Sequence, residues 1–231
     1  MAQYKAIIFD MDGLLVDSEK IWHIAEIELV EARSHKYRED VRIQLIGLRM
    51  SDFMKIIRKA YNLDETVEEL NAELVQRMQR LIPTEEVHPG AQEIIDYVSA
   101  NDIPHAIASS SSKNIIDAIL EFHGWSDKFT VRCSAEDDAN GKPAPDVYIR
   151  TAKVIEIAPA DCLALEDSPN GARAAVAAGM TCYAVPDSSH SGPEDFEGIT
   201  PHIFGSLHDV LAHLKSNGQI SSSDSRQVLQ K

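Results

Sequence analysis

Short continuous apolar runs alternate with stripes of helical period along this chain. The first run, Ala6, Ile7, Ile8 and Phe9, suits a strand buried on both faces of a parallel sheet. It stops at Asp10. From Ser18, which can cap a helix, the period changes: Ile21, Ile24, Ala25 and Leu29 form one stripe, predicting a helix to Ala32. Further helices are predicted at about 39–46, 51–61 and 65–81. In the last of them Val67, Leu70, Leu74, Met78 and Leu81 recur at helical spacing. An all-helical block over 18–82 is too long for a simple crossover between two strands. It reads as a small inserted domain whose stripes are core.

After Pro89 and Gly90 the alternation resumes. Helices are predicted at 90–100, 113–122, 145–157, 169–178 and 206–214, with strands at 104–109, 129–133, 162–165 and 181–185. Gly179 is placed to stop the alanine-rich helix before it. This order implies an α/β fold, a doubly wound parallel sheet covered on both sides. The expected organisation is a core domain of residues 1–17 and 83–215 with a helical cap of residues 18–82. From 216 to 231 apolar periodicity is lost, and a disordered tail is expected.

Composition changes the picture only in what it excludes. The chain has 231 residues, enough for one large domain or a domain with an insert. A formal net charge of −15 argues against nucleic acid or an anionic membrane as the main partner. No apolar stretch is long enough to span a bilayer, and the first apolar run is too short for a signal peptide. Cys133, Cys162 and Cys182 are odd in number and widely spaced, with neither a metal signature nor a disulfide framework. Free thiols in a reducing cytoplasm and a monomeric protein are the expectation.

Polar clusters follow the predicted strands. They are Asp10 and Asp12 with Gly13; Ser109 to Ser112; the GKPAPD run of residues 141–146 with Lys142; and Glu166, Asp167 and Ser168. Each alone has a plain reading: a turn, a flexible serine loop, a solvated lysine, a helix start stabilised by acidic residues. Together they make a hard metal site beside an anion site. That combination suits phosphoryl transfer, where a divalent cation and a lysine offset the repulsion between an anionic nucleophile and a phosphate. Asp10 and Asp167 can each give Mg²⁺ an oxygen, with a backbone carbonyl at Asp12 in reach. Asp10 can attack phosphorus, Asp12 can move the proton, and Ser109 with helix-start N–H groups can hold phosphate oxygens.

The segments FDMDGLLVDSE, AIASSS, GKPAPDVY and LALEDSPNG resemble, in order and spacing, the four motifs of the haloacid-dehalogenase-like hydrolases. The chain is similar to the helical-cap branch, with its 2-deoxyglucose-6-phosphatase-like, pseudouridine-phosphatase-like and β-phosphoglucomutase-like proteins. VPDSS at 185–189 shares the likeness to the pseudouridine-phosphatase type. The resemblance implies a Rossmann-like core and a Mg²⁺-dependent phosphatase of a small metabolite, a sugar or polyol phosphate. By it Asp10 is the nucleophile, Asp12 the general acid/base, Lys142 the charge neutraliser, and Ser109 or the neighbouring Ser110 the phosphate-binding hydroxyl. Asp10, Asp12 and Asp167 are metal ligands, with Glu166 assisting directly or through water. Trp22, Arg49 and Met50 are cap candidates for substrate contact. A phosphosugar mutase is the alternative on the same fold, and a non-catalytic binding protein the second. A mutase of the β-phosphoglucomutase type has cationic groups where this chain has Trp22, Ile46 and Met50, around Gly47.

Overall fold

The computed structural model describes residues 4–45, 48–218 and 220. Ile46 and Gly47 lie outside the described residues, as do residues 219 and 221–231 of the segment expected to be a tail. Among the described residues five strands form one parallel sheet: β1 (Ala6–Phe9), β2 (His105–Ser109), β3 (Arg132–Ser134), β4 (Cys162–Glu166) and β5 (Thr181–Ala184), in the order β3-β2-β1-β4-β5. β1 lies at the centre, Ile8 opposite Ala106 on one side and Ala164 on the other.

The strand period of two sends alternate side chains to opposite faces. Ile7, Phe9, Ile107, Leu163, Leu165 and Tyr183 join one core. α5 (Ala91–Ala100), α6 (Lys113–Phe122) and α9 (Leu207–Asn217) supply the rest of that layer. Ala6, Ile8, Ala108, Ala164, Cys182 and Ala184 face the other layer, formed with α7 (Asp146–Val154) and α8 (Pro169–Ala177). Small residues dominate this second face, so α7 and α8 can approach the sheet closely.

Between β1 and α5 the described chain is helical: α1 (Glu19–Glu31), α2 (Glu39–Arg42), α3 (Met50–Tyr61) and α4 (Val67–Leu81). A capping box between Thr66 and Glu69 starts α4, and Asn62 in the left-handed region ends α3. Leu70, Leu74 and Met78 of α4 are fully buried against the same apolar cluster as Ile57 and Leu29.

Three boundaries depart from the expectation. β3 starts at Arg132, because Phe129 closes a helical turn on Trp125 and packs edge-on against Phe9 instead of entering the sheet. α7 stops at Val154, where Glu156 takes φ +58° and Ile157 N–H returns to the Ala152 carbonyl. α9 runs to Asn217 and is ended by Gly218 at φ +57°, inside the segment expected to lack order. No helix among the described residues is long and apolar enough to cross a membrane.

Candidate active site

β1 sits where the connections turn in opposite directions, to β2 on one side and β4 on the other. In open α/β sheets the crevice at the carboxyl ends of such strands holds the ligand. Asp10 stands there, its N–H on the Leu165 carbonyl, and is only 5% exposed. Gly13, at φ +76°, turns the chain back. A Cβ at that position would lie 2.3 Å from Asp167 Oδ2, so only glycine lets the loop approach β4 so closely.

Lys142 crosses from the start of α7 to the middle of this group. Its Nζ donates to Asp10 Oδ1 (2.5 Å), Glu166 Oε1 (2.6 Å) and the Ala108 carbonyl (3.0 Å). The Tyr148 hydroxyl also donates to Glu166 Oε1, at 2.5 Å. Burial alone would lower the Lys142 pKa, but the charges of Asp10 and Glu166 outweigh it and push the ammonium well up. Burial pushes the Asp10 carboxyl up to about 8 against the pull of Lys142, and pushes Asp167 well above the usual carboxylate range. Three buried carboxylates share one buried ammonium, so the site is short of positive charge.

That shortage and the donor chemistry fit a hard divalent cation. Oxygens of Asp10, Glu166 and Asp167 lie within 4.8 Å of one another, all in buried groups. Asp167 also falls in a second cluster with Asp187 and His190. His190 Nε2 is 3.6 Å from Asp167 Oδ2, and its Nδ1 is 3.5 Å from Asp187 Oδ2.

Asp12 is held by four donors. Oδ1 accepts from Ser18 Oγ (2.9 Å) and Trp22 Nε1 (3.0 Å); Oδ2 accepts from Ser109 Oγ (3.1 Å) and Ser111 Oγ (2.8 Å). Ser109 also accepts the Ser111 N–H. Its hydroxyl is thus committed to the loop and fully buried, away from the cavity. The hydroxyl of Ser109, expected to meet phosphate, here donates to Asp12, while Ser110 and Ser111 line the cavity.

A cavity opens over these groups. Asp10, Asp12, Ser110, Lys142 and Asp167 line one end. Trp22 and Met50 also line the cavity; Glu166 is paired to Lys142 and has no exposure. Arg49 does not line the cavity. Its guanidinium is taken by Asp52 Oδ2 (2.7 Å) and by the Asp138 carbonyl (2.7 Å), beyond β3. Arg49, expected to contact substrate, here extends from the start of α3 onto the turn after β3. Beside it, the Ser51 N–H in the first turn of α3 donates to Glu136 Oε1 at 2.8 Å.

Sequence reasoning passed over Glu19, Glu26, Arg42 and His190, which also line the cavity. Glu19, Trp22 and Glu26 carried a readable signal. Their spacing of three and four gives α1 a polar stripe beside its apolar one.

The model for the family described as haloacid dehalogenase-like hydrolase matches residues 7–185. This chain belongs to the haloacid dehalogenase-like hydrolases. It is 31% identical over 194 residues to the "Probable pseudouridine-5'-phosphatase" of Drosophila melanogaster, covering 78% of this chain and 80% of that protein. It is 30% identical over 187 residues to hexitol phosphatase B of Escherichia coli K12, covering 80% and 84% respectively. The crystal structure of CbbY from Rhodobacter sphaeroides with phosphate shares the fold at TM-score 0.83 and 24% identity. That match covers 92% of this chain and all of the other. This family chain is a hydrolase by kinship, with the family's motif residues gathered at one crevice.

Proposed function

We propose that this hydrolase is a Mg²⁺-dependent phosphatase that cleaves phosphate monoesters of small metabolites, sugar or polyol phosphates, through an aspartyl phosphate on Asp10. The observation that carries this reading is the grouping of Asp10, Glu166 and Asp167 around one lysine, with four-donor Asp12 on the adjoining loop. Relatives named as phosphatases of pseudouridine 5'-phosphate and hexitol phosphates support it.

Lys142 holds Asp10 Oδ1, leaving Oδ2 to attack phosphorus. As the new P–O bond forms, the ester P–O bond breaks and Asp12 gives its proton to the departing alkoxide. Water then attacks phosphorus, Asp12 takes back a proton, and phosphate leaves with Asp10 restored. Ser110 and the N–H groups opening α6 hold the phosphoryl oxygens. Mg²⁺, held by Asp10 and Asp167 with the Asp12 carbonyl, would supply the missing positive charge over the transferring group. Glu166 keeps Lys142 in place.

The helical segment 18–82 serves as the cap, reaching the core through Arg49 and Ser51. Cys133, Cys162 and Cys182 are free and buried, which supports a cytoplasmic enzyme. A panel of sugar, polyol, nucleotide and glycolytic phosphates tests the reading. Phosphate release that requires Mg²⁺ and stops with chelator is expected. Release of no phosphate from any ester, p-nitrophenyl phosphate included, would overturn it.

A further inference from the structure

Glu19, Trp22 and Glu26 lie on one face of α1 and line the cavity, Trp22 reaching Asp12. Leu45, Leu48 and Phe53 add apolar lining, the Phe53 ring 6.2 Å from that of Trp22. Glu26 is a carboxylate only 5% exposed, and its Oε2 accepts the hydroxyl of Tyr37. It forms no ion pair among the described residues. Arg42, the neighbouring cation, is 3.3 Å from Glu19 Oε2 and 3.3 Å from Glu39 Oε1. Lys142 is occupied by Asp10 and Glu166, and His190 stands between Asp167 and Asp187.

Beside α1 the cavity therefore presents two carboxylates, and the neighbouring cation, Arg42, is shared between Glu19 and Glu39. A buried carboxylate needs hydrogen-bond donors to stay there. Tyr37 supplies one to Oε2, and the other oxygen is left for a ligand. The burial that pushes this carboxyl up to about 7 marks the same deficit of donors. Hydroxyl groups on a leaving alcohol fill that deficit. A second phosphate or a carboxylate on the ester brings further negative charge to Glu19 and Glu26 and would have to compete with Glu19 and Glu39 for Arg42.

We propose that Glu26, positioned by Tyr37, selects the leaving alcohol: it accepts hydrogen bonds from the hydroxyls of a neutral polyol or sugar monophosphate and turns away esters carrying a second anionic group. This rests on the phosphatase reading above. The exclusion is built from like charge, and the acceptance from one oriented acceptor beside an indole and an apolar wall.

The test compares kcat and KM for a hexitol 6-phosphate, a hexose 1,6-bisphosphate and p-nitrophenyl phosphate, in the wild type and in Glu26→Gln and Tyr37→Phe. The wild type is expected to prefer the hexitol ester over the bisphosphate by about 100-fold or more in kcat/KM. Glu26→Gln should raise KM for the hexitol ester about tenfold, with kcat changed far less, and should narrow that preference. Tyr37→Phe should do the same more weakly, since Glu26 remains but is no longer fixed. The wild-type comparison needs no variant, so misfolding of either one leaves the claim open to refutation. A wild type that turns over the bisphosphate as well as the hexitol ester would overturn the inference, as would an unchanged preference in a folded Glu26→Gln. Absence of turnover on all three esters would remove the phosphatase reading and this inference with it.

Discussion

The indole Nε1 of Trp22 donates to Asp12 Oδ1 at 3.0 Å, so α1, in the proposed cap, holds the carboxylate proposed to move the proton. Ser18, Ser109 and Ser111 fix the same carboxylate from the core side. Removing the indole N–H alone should therefore misdirect Asp12 while leaving the cap packed. Trp22→Phe is expected to lower kcat for alkyl phosphates about tenfold and to affect an aryl phosphate less, since its leaving group needs little protonation. Single-turnover phosphorylation with the two esters reads this difference directly.

The contacts of Arg49 and Ser51 with the turn after β3 join cap to core on the rim of the crevice. Glu136 accepts an N–H in the first turn of α3, where helix N–H groups lack partners inside the helix. Glu136→Ala should free this turn. Faster hydrogen exchange at the start of α3 and a several-fold lower kcat/KM are expected; unchanged exchange would mean that the contact does not hold the cap.

The surplus of buried carboxylates makes the cation a stability determinant as well. Added Mg²⁺ should raise the unfolding temperature of the wild type, with about 2.7 kcal/mol expected at a hundred times its Kd. Asp167→Asn removes one of the clustered oxygens and should lose most of this gain, together with Mg²⁺ affinity by calorimetry. An equal gain in the variant would move the ligand role to Glu166.

Glu26 gives a pH signature. Burial raises its carboxyl from 4.5 to about 7, against the hydrogen bond from Tyr37; Glu19, Arg42 and Glu39 are the other charges that face it. Because the folded value is the higher one, its stability contribution is fully present below about 4.5 and is lost as pH rises through about 7. Between these values the wild type should lose about 1.4 kcal/mol per pH unit relative to Glu26→Gln. Denaturant unfolding of both proteins across this range measures the difference. A constant difference would show that Glu26 titrates alike in both states.

How much was legible follows from these same groups. Strand-ending residues announced themselves: the run before Asp10 and the run before Glu166 are buried strands, and the acidic residues beyond them meet at the sheet's carboxyl edge. The helical block and the α/β alternation were equally plain in their periods. Side-chain direction was not. Ser109 and Ser110 are neighbours in sequence, yet the pleat and the turn send one hydroxyl to Asp12 and leave the other at the cavity. Arg49 and Arg42 are both cap cations; which one faces the ligand depends on the angle between α3 and the core, which no local pattern encodes. His190 lies more than twenty residues beyond Asp167, and only the return of β5 beside β4 brings it near.

Asp10 is expected to become phosphorylated in turnover, which acid quenching during turnover of a phosphate ester with Mg²⁺ can capture. Peptide mass spectrometry of the quenched wild type is expected to find a phosphoryl group on Asp10, labile to hydroxylamine, and none in a folded and inactive Asp10→Asn. Turnover by Asp10→Asn at the wild-type rate, or a phosphoryl group on another residue, would contradict it.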